Sequence, residues 1–418
     1  MPSKILLLPV GSHGDVHPFV GIGQELQRRG HDVTMITNGY FEPLARKAGF
    51  NFVELGTAEH FKQAIEDPDI WHPTKGPQRV FEMLSAGLLR PMYQAIDAHV
   101  EKGRTILVGG GLAMAARLAH EKLGVPLATL QLQPAVLRSV HEPPVLPGPP
   151  IPSWAPAAYI RLYFWLADVL IVDRLVCPSL NAFRRELGLP PVSRVINEWW
   201  NSPQRVIGLF PDWYAPPQPD WPPQLRLVGF PLYDEKGVEP LDPDLERFLA
   251  AGPPPVVFTP GSAMKHGRWF FEASAEACRL AGRRGLLLSR HPENVPERLP
   301  EGVRHSPYVP FSEVLPRSAA LVSHGGIGTV AQGLAAGLPQ LVMPLSHDQP
   351  DNAARLKRLG VGADLLPKRY RAPAVAEKLR ELLNDPQVTE RAKGLAERIK
   401  QERPRERAAD LIEALASS

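Results

Sequence analysis

Long uninterrupted apolar runs are missing from this sequence, and that absence removes the membrane-spanning class first. The most apolar stretch, 157–176, is broken by Arg161, Asp168, Asp173 and Arg174, whereas a span needs ~20 consecutive apolar residues. Contact with a membrane surface stays open. Cysteine is nearly absent too. Cys177 and Cys278 are the only two, far apart and outside any C-x-x-C pair, so neither a disulfide framework nor a zinc knuckle is indicated and a reducing cytoplasm fits best. Neither sign of charge is in excess: 47 Lys and Arg against 44 Asp and Glu leave a net +3. The basic residues come in short pairs such as Arg28-Arg29 and Arg283-Arg284, so no stripe for nucleic acid is present. The amino end runs as a strand's length of apolar residues straight into a glycine turn, without the small-residue cleavage site of a signal peptide.

What is present is a globular balance, 44% hydrophobic against 22% charged, in 418 residues. That length exceeds one ordinary core and favours two domains of roughly 200 residues with a cleft between them. The first half opens with a strand over 5–10, a turn over 11–15, a helix stopped by Gly30 and a strand over 33–37. A further strand at 105–108, a helix at 113–122 and a strand at 127–131 continue the alternation, which is the pattern of a parallel sheet with crossover helices. Prolines crowd 134–156, where neither a regular helix nor a central strand can form. The aromatic stretch that follows, with Tyr159, Tyr163, Phe164 and Trp165, suits a helix packed on either core or ligand. A second proline-rich patch covers 211–223, a strand follows at 225–230, and the polar run after it marks a linker at 233–252.

The second half repeats the alternation: strand 256–259, helix 269–281, strand 285–289, short helix 312–315, strand 320–323, a glycine turn, helix 330–336, strand 340–343 and a helical series from Pro373. The domains are therefore 1–232 and 253–400, with a terminal helix at 401–418 that could return to the first domain. Two doubly wound α/β halves facing a central cleft are the simplest architecture.

The sharpest chemical signal is Ser323-His324-Gly325-Gly326-Ile327-Gly328-Thr329 at the exit of a buried strand. Such a turn offers backbone N–H groups and the positive end of a helix dipole, an anion site for which phosphate is the natural occupant. A tight strand-to-helix turn without a ligand is the alternative. His324 could hydrogen-bond a diphosphate oxygen, and Thr329 adds a hydroxyl. The strand at 340–343 then ends in Ser346-His347-Asp348-Gln349, where Asp348 and Gln349 suit sugar hydroxyls or simply open the next helix.

On these residues the sequence resembles the family 1 glycosyltransferases of the GT-B fold. The resemblance places His324, Gly326, Gly328, Thr329, Gln332 and the Asp348-Gln349 pair at the donor, with Tyr308-Val309-Pro310 facing the nucleotide base and Ser262 near the diphosphate. Gln332 stands where the family usually has a Glu for two ribose hydroxyls, which leaves the nucleotide open. Gly11-Ser12-His13-Gly14-Asp15 resembles the acceptor-side loop and implies Asp15 as general base. No carboxylate stands at 108–113 to orient a histidine instead. Within the family the sequence looks closest to the bacterial rhamnosyltransferases of rhamnolipid synthesis and to flavonoid rhamnosyltransferases. This implies rhamnose from a deoxythymidine diphosphate donor, or glucose from a uridine or thymidine diphosphate donor, moved by inversion and without a metal. The acceptor would be a small lipophilic hydroxy compound, a phenolic or a hydroxy fatty acid, met by His13, Trp154, Tyr159 and Phe164. His13 and His17 lie four apart but lack the further ligands of a metal site. A nucleotide-sugar epimerase and a non-catalytic helper are the competing readings; the first needs no apolar acceptor segment, and the second needs none of the donor residues.

Overall fold

The computed structural model describes residues 2–147, 149–152, 154–235, 241–261, 264, 266–307 and 309–417. The protein divides into two units. One gathers Met1–Gly11, Asp15–Pro231 and Arg403–Ser418, and the other Ser12–Gly14 and Leu232–Glu402.

The first unit is built on seven parallel strands: β1 Lys4–Leu8, β2 Asp32–Thr37, β3 Asn51–Glu54, β4 Thr105–Gly110, β5 Leu127–Gln131, β6 Arg205–Gly208 and β7 Leu225–Leu227. They lie in the order β3-β2-β1-β4-β5-β6-β7. The second has six parallel strands: β8 Val256–Thr259, β9 Gly285–Leu288, β10 Val303–Ser306, β11 Ala320–Ser323, β12 Gln340–Val342 and β13 Gly362–Asp364, in the order β10-β9-β8-β11-β12-β13. Sheets covered on both faces need strands that are apolar throughout. Ile5 to Leu8 and Val256 to Phe258 are accordingly buried without alternation.

In both sheets the polypeptide runs outward through three strands and then crosses to the other side of the first. The strand order therefore reverses between β1 and β4 in one unit and between β8 and β11 in the other, and loops leaving the carboxyl ends of strands at such a point are where ligands gather. The turn after β1 carries Asp15. The turn after β11 carries His324.

The expected strand over 5–10 stops at Leu8, because Pro9 has no N–H for the ladder; its carbonyl instead accepts from Thr37 Oγ1 at 2.9 Å. The helix His13–Arg28 begins early, so the expected turn over 11–15 ends inside its first turn. Likewise the helix Ile327–Ala335 starts directly after Gly326 and takes in Gly328 and Thr329. Part of the stretch read as linker, Pro243–Ala250, is a helix capped by Asp242, whose carboxylate accepts from the N–H groups of Asp244 and Leu245. Residues 236–240 of that stretch lie outside the described residues. The helix Pro404–Glu413 clusters with the first unit, where Arg29 bridges Asp410 and Glu413 at 2.6 Å each and His31 lies 2.8 Å from Glu413.

Candidate functional site

At the first switch point, Gly11 has a φ of +131°. A Cβ there would stand 2.3 Å from Asp15 Oδ2 and 2.6 Å from its Cγ. The Asp15 side chain is folded back over the bare backbone of Gly11, and any other residue at 11 would both strain the turn and evict the carboxylate. Asp15 occupies the first turn of its helix, where the dipole attracts negative charge. His13 opens the same turn, and His17 follows one turn later. Among the described residues no group of three or more His, Cys, Asp or Glu side chains could hold a metal ion.

The second switch point is braced around an imidazole. His324 follows β11 and is buried. A Cβ on Gly261 would come within 2.8 Å of its Cε1, and one on Gly326 within 2.6 Å of its Nε2. The imidazole is thus held between two stretches of backbone, one of which, at Gly261, has a φ of +98°. Burial, with a smaller contribution from the neighbouring His347, pulls the imidazole down to about 4. It is therefore neutral at physiological pH and offers a hydrogen bond, not a full charge.

The glycine turn is tied to the helix Gln349–Arg358. Asn352 Nδ2 donates to Gly325 O at 2.9 Å and to Asp348 Oδ2 at 2.6 Å, and the same Asp348 oxygen accepts from the Ile327 N–H at 3.2 Å. Burial pushes the Asp348 carboxyl up to about 6, against the lowering effect of those hydrogen bonds. A helix leaves its first N–H groups without intrahelical acceptors. With Ile327 taken by Asp348, the geometry leaves the N–H groups of Gly326, Gly328 and Thr329 for an anion.

The remaining sequence-selected residues divide. Gln332 is half-buried, and its Nε2 donates to Tyr233 O at 3.4 Å. Gln349, read as a sugar ligand, is almost fully buried. Its side-chain carbonyl accepts from the Leu345 and Ser346 N–H groups at 2.7 and 3.0 Å and closes the turn in which His347 adopts a φ of +58°. Val309 sends its side chain into the core beside Val257, Leu286 and Leu321. Ser262 and Tyr308 lie outside the described residues. Asn352 was not singled out by sequence reasoning, although its place four residues after Asp348 puts both on one helix face.

On the acceptor side the aromatic residues separate by face. The helix Ala157–Ala167 buries Ile160 and Phe164, while Tyr159 is exposed and Trp154, before the helix, is 81% exposed. Phe164 therefore belongs to the core and not to an open acceptor wall. The Arg138 guanidinium stacks over its ring at 5.2 Å and pairs with the fully buried Asp168 at 2.5 Å. Burial raises the Asp168 carboxyl above its ordinary range.

Comparison with known proteins adds the following. Residues 5–142 match the family model described as the glycosyltransferase family 28 N-terminal domain, and 287–414 match the erythromycin biosynthesis protein CIII-like C-terminal domain. The sequence is 32% identical over 435 residues to O-mycaminosyltylonolide 6-deoxyallosyltransferase of Streptomyces fradiae, covering 98% of this chain and 97% of that protein. Of solved structures, the glycosyltransferase of kitacinnamycin superposes with a TM-score of 0.76 at 23% identity, over the full length of both proteins. The spinosyn rhamnosyltransferase SpnG, complexed with thymidine diphosphate, superposes with a TM-score of 0.67 at 18% identity, over 99% of both.

Proposed function

Because the chain belongs to the nucleotide-sugar glycosyltransferases of the GT-B fold, we propose that it transfers a 6-deoxyhexose such as rhamnose from a thymidine diphosphate donor to a hydroxyl of a lipophilic natural product, with inversion and without a metal. The observation that carries this reading is the braced glycine turn: a neutral imidazole and a set of helix N-terminal N–H groups held in place for a diphosphate. Two features support the donor. The S. fradiae relative is named as a 6-deoxyhexose transferase, and the neutral amide of Gln332 suits a deoxyribose, which has one hydroxyl fewer for a carboxylate to bind. The acceptor in that relative's name is O-mycaminosyltylonolide, which moves the proposed acceptor from the flavonoids and hydroxy fatty acids suggested by the sequence toward antibiotic aglycones. The exposed Trp154 and Tyr159 supply apolar contact for such an acceptor, since one aromatic side chain can bury ~150–250 Å².

In this mechanism Asp15 accepts the acceptor's hydroxyl proton while that oxygen forms a bond to the anomeric carbon. The bond from the anomeric carbon to the diphosphate oxygen breaks on the opposite face, and its electron pair leaves with the nucleotide. Negative charge grows on the departing diphosphate. In this reading the N–H groups of Gly326, Gly328 and Thr329 and the His324 imidazole take up that charge, and because they are held by the fold little reorientation is needed in the transition state.

The test is a donor and acceptor panel followed by mass spectrometry, with the product's anomeric configuration read by NMR and every reaction repeated in excess EDTA. Thymidine diphosphate rhamnose or another thymidine diphosphate 6-deoxyhexose should give inverted glycosides of polyketide aglycones, at a rate chelation leaves unchanged. Exclusive use of uridine diphosphate sugars, retention of configuration, or loss of turnover in EDTA restored by magnesium would each overturn the corresponding part of the proposal.

A further inference from the structure

The helix that carries Tyr159 has a second property which acceptor contact alone does not use. Its core-facing residues, Ile160, Phe164, Asp168, Val172 and Val176, fall at every fourth position. An α-helix advances ~100° per residue, so a strict four-residue spacing over these sixteen residues would drift by roughly 160° off the core. A turn of π-helix at Asp168–Val172 absorbs the drift. The consequence shows on the outer face. Ile171, which an unbroken α-helix would turn toward the core, is 56% exposed, and it joins Leu162, Trp165, Leu166 and Leu170 in one outward apolar band.

Along the stretch itself the charges left unpaired have one sign. Between 154 and 174 the only carboxylates are Asp168 and Asp173. Asp168 is buried against Arg138, and Asp173 accepts from the N–H groups of Arg194 and Val195 at 2.7 and 3.2 Å. The two arginines of the stretch, Arg161 and Arg174, are exposed, and neither has an ion-pair partner among the described residues. No described helix is long and apolar enough to cross a membrane. An apolar face with aromatic residues and flanking unneutralised arginines is instead the composition of a segment that lies in a bilayer interface.

We propose that the outward face of 157–174 docks on an anionic lipid surface, with Leu162, Leu166, Leu170 and Ile171 entering the headgroup boundary and Arg161 and Arg174 against lipid phosphates. A second copy of the protein fits less well. The eleven α-helical and five π-helical residues present a face of ~24 by ~10 Å, roughly 240 Å², against the ~800 Å² per partner of a standard interface. Anionic lipid is also complementary to the arginines, which a like-charged copy is not.

The test uses the full-length protein, sedimented with vesicles of phosphatidylglycerol or of phosphatidylcholine, with sedimentation equilibrium in the absence of lipid. Phosphatidylglycerol vesicles should carry the protein down and shift its tryptophan emission to the blue, less so at high salt; phosphatidylcholine should bind it at least tenfold more weakly. The variant Leu166→Asp/Ile171→Asp changes exposed positions only and should melt with wild type while losing tenfold or more of the vesicle affinity. Arg161→Glu/Arg174→Glu should lose the preference for anionic lipid. No sedimentation with either vesicle, equal binding by the acidic variant, or a lipid-free dimer that the acidic variant dissolves would overturn the proposal. None of these outcomes depends on the donor or acceptor chemistry, so they stand or fall separately from the transferase reading.

Discussion

The turns at the two switch points begin alike and are held differently. Each leaves the first strand or its neighbour at the carboxyl edge of a parallel sheet, contains a glycine with positive φ, and opens a helix. After β1, the Asp15 carboxylate in the first helical turn is folded over Gly11. After β11, the turn is clamped from several sides: Gly261 and Gly326 enclose the His324 ring, and Asn352 ties Gly325 to Asp348, which in turn holds the Ile327 N–H. A site that binds a diphosphate must present several N–H groups in fixed directions, so rigidity serves it. A base that moves a proton needs one correctly charged atom. In the proposed function the first turn carries the proton transfer and the second the donor.

The comparison breaks most visibly at Asp15. Asp15→Asn keeps the size of the side chain over Gly11 but cannot accept a proton, and general base catalysis is worth ~10²–10⁴-fold. Turnover on an aliphatic hydroxyl should fall by that order in a steady-state assay, with a smaller loss on phenols, which ionise more readily. Near wild-type transfer to an aliphatic alcohol would make Asp15 a structural residue of its helix.

Gly261→Ala probes the other turn. The added methyl would stand 2.8 Å from His324 Cε1 at a position whose φ of +98° already disfavours it. The ring must shift from its present position. Losing a hydrogen bond to a charged group costs ~1.5–3 kcal/mol, so nucleotide affinity by calorimetry should drop roughly ten- to a hundredfold. Unchanged affinity would show that the ring's position does not matter to the donor.

These contrasts were only partly legible in the sequence. The alternation of strands and helices was, because parallel strands buried on both faces are short apolar runs that stand out between glycine and proline signals. Asp15 and His324 stood out for the same reason, since glycine turns at strand exits are local features. The residues between β3 and β4 were not read as elements, although the helix Leu89–His99 there buries Leu89, Met92, Tyr93 and Ile96 at helical spacing; the helix Ala58–Glu66 buries none of its residues and gives a weaker signal. The inward turn of Gln349, the burial of Phe164 under Arg138 and the Asn352 tie depend on partners distant in the sequence or on the direction of one side chain. The π turn at Asp168–Val172 is likewise a tertiary compromise, set by the core beneath it and not by the local sequence.

A smaller effect sharpens the role of Asp348. With its carboxyl pushed up to about 6, Asp348 is ionised above that pH and accepts from Ile327 and Asn352; below it, a bound proton occupies part of that acceptor capacity. Burial holds the His324 imidazole down at about 4, so it stays neutral over the same window. Wild-type donor affinity should therefore weaken a few-fold as pH falls from about 7 to about 5, in line with the ~1 kcal/mol scale of one hydrogen bond. In Asp348→Asn the curve should be flat there. An identical pH limb in the variant would assign the titration to another group.

The most direct test of the division of labour is to titrate thymidine diphosphate into Asp15→Asn and His324→Ala by calorimetry and to measure turnover of each at saturating donor. The account predicts nucleotide affinity within about twofold of wild type and turnover nearly lost for Asp15→Asn, and affinity weakened roughly ten- to a hundredfold for His324→Ala, the range for one charged hydrogen bond. Weakened nucleotide binding in Asp15→Asn together with unchanged binding in His324→Ala would contradict it.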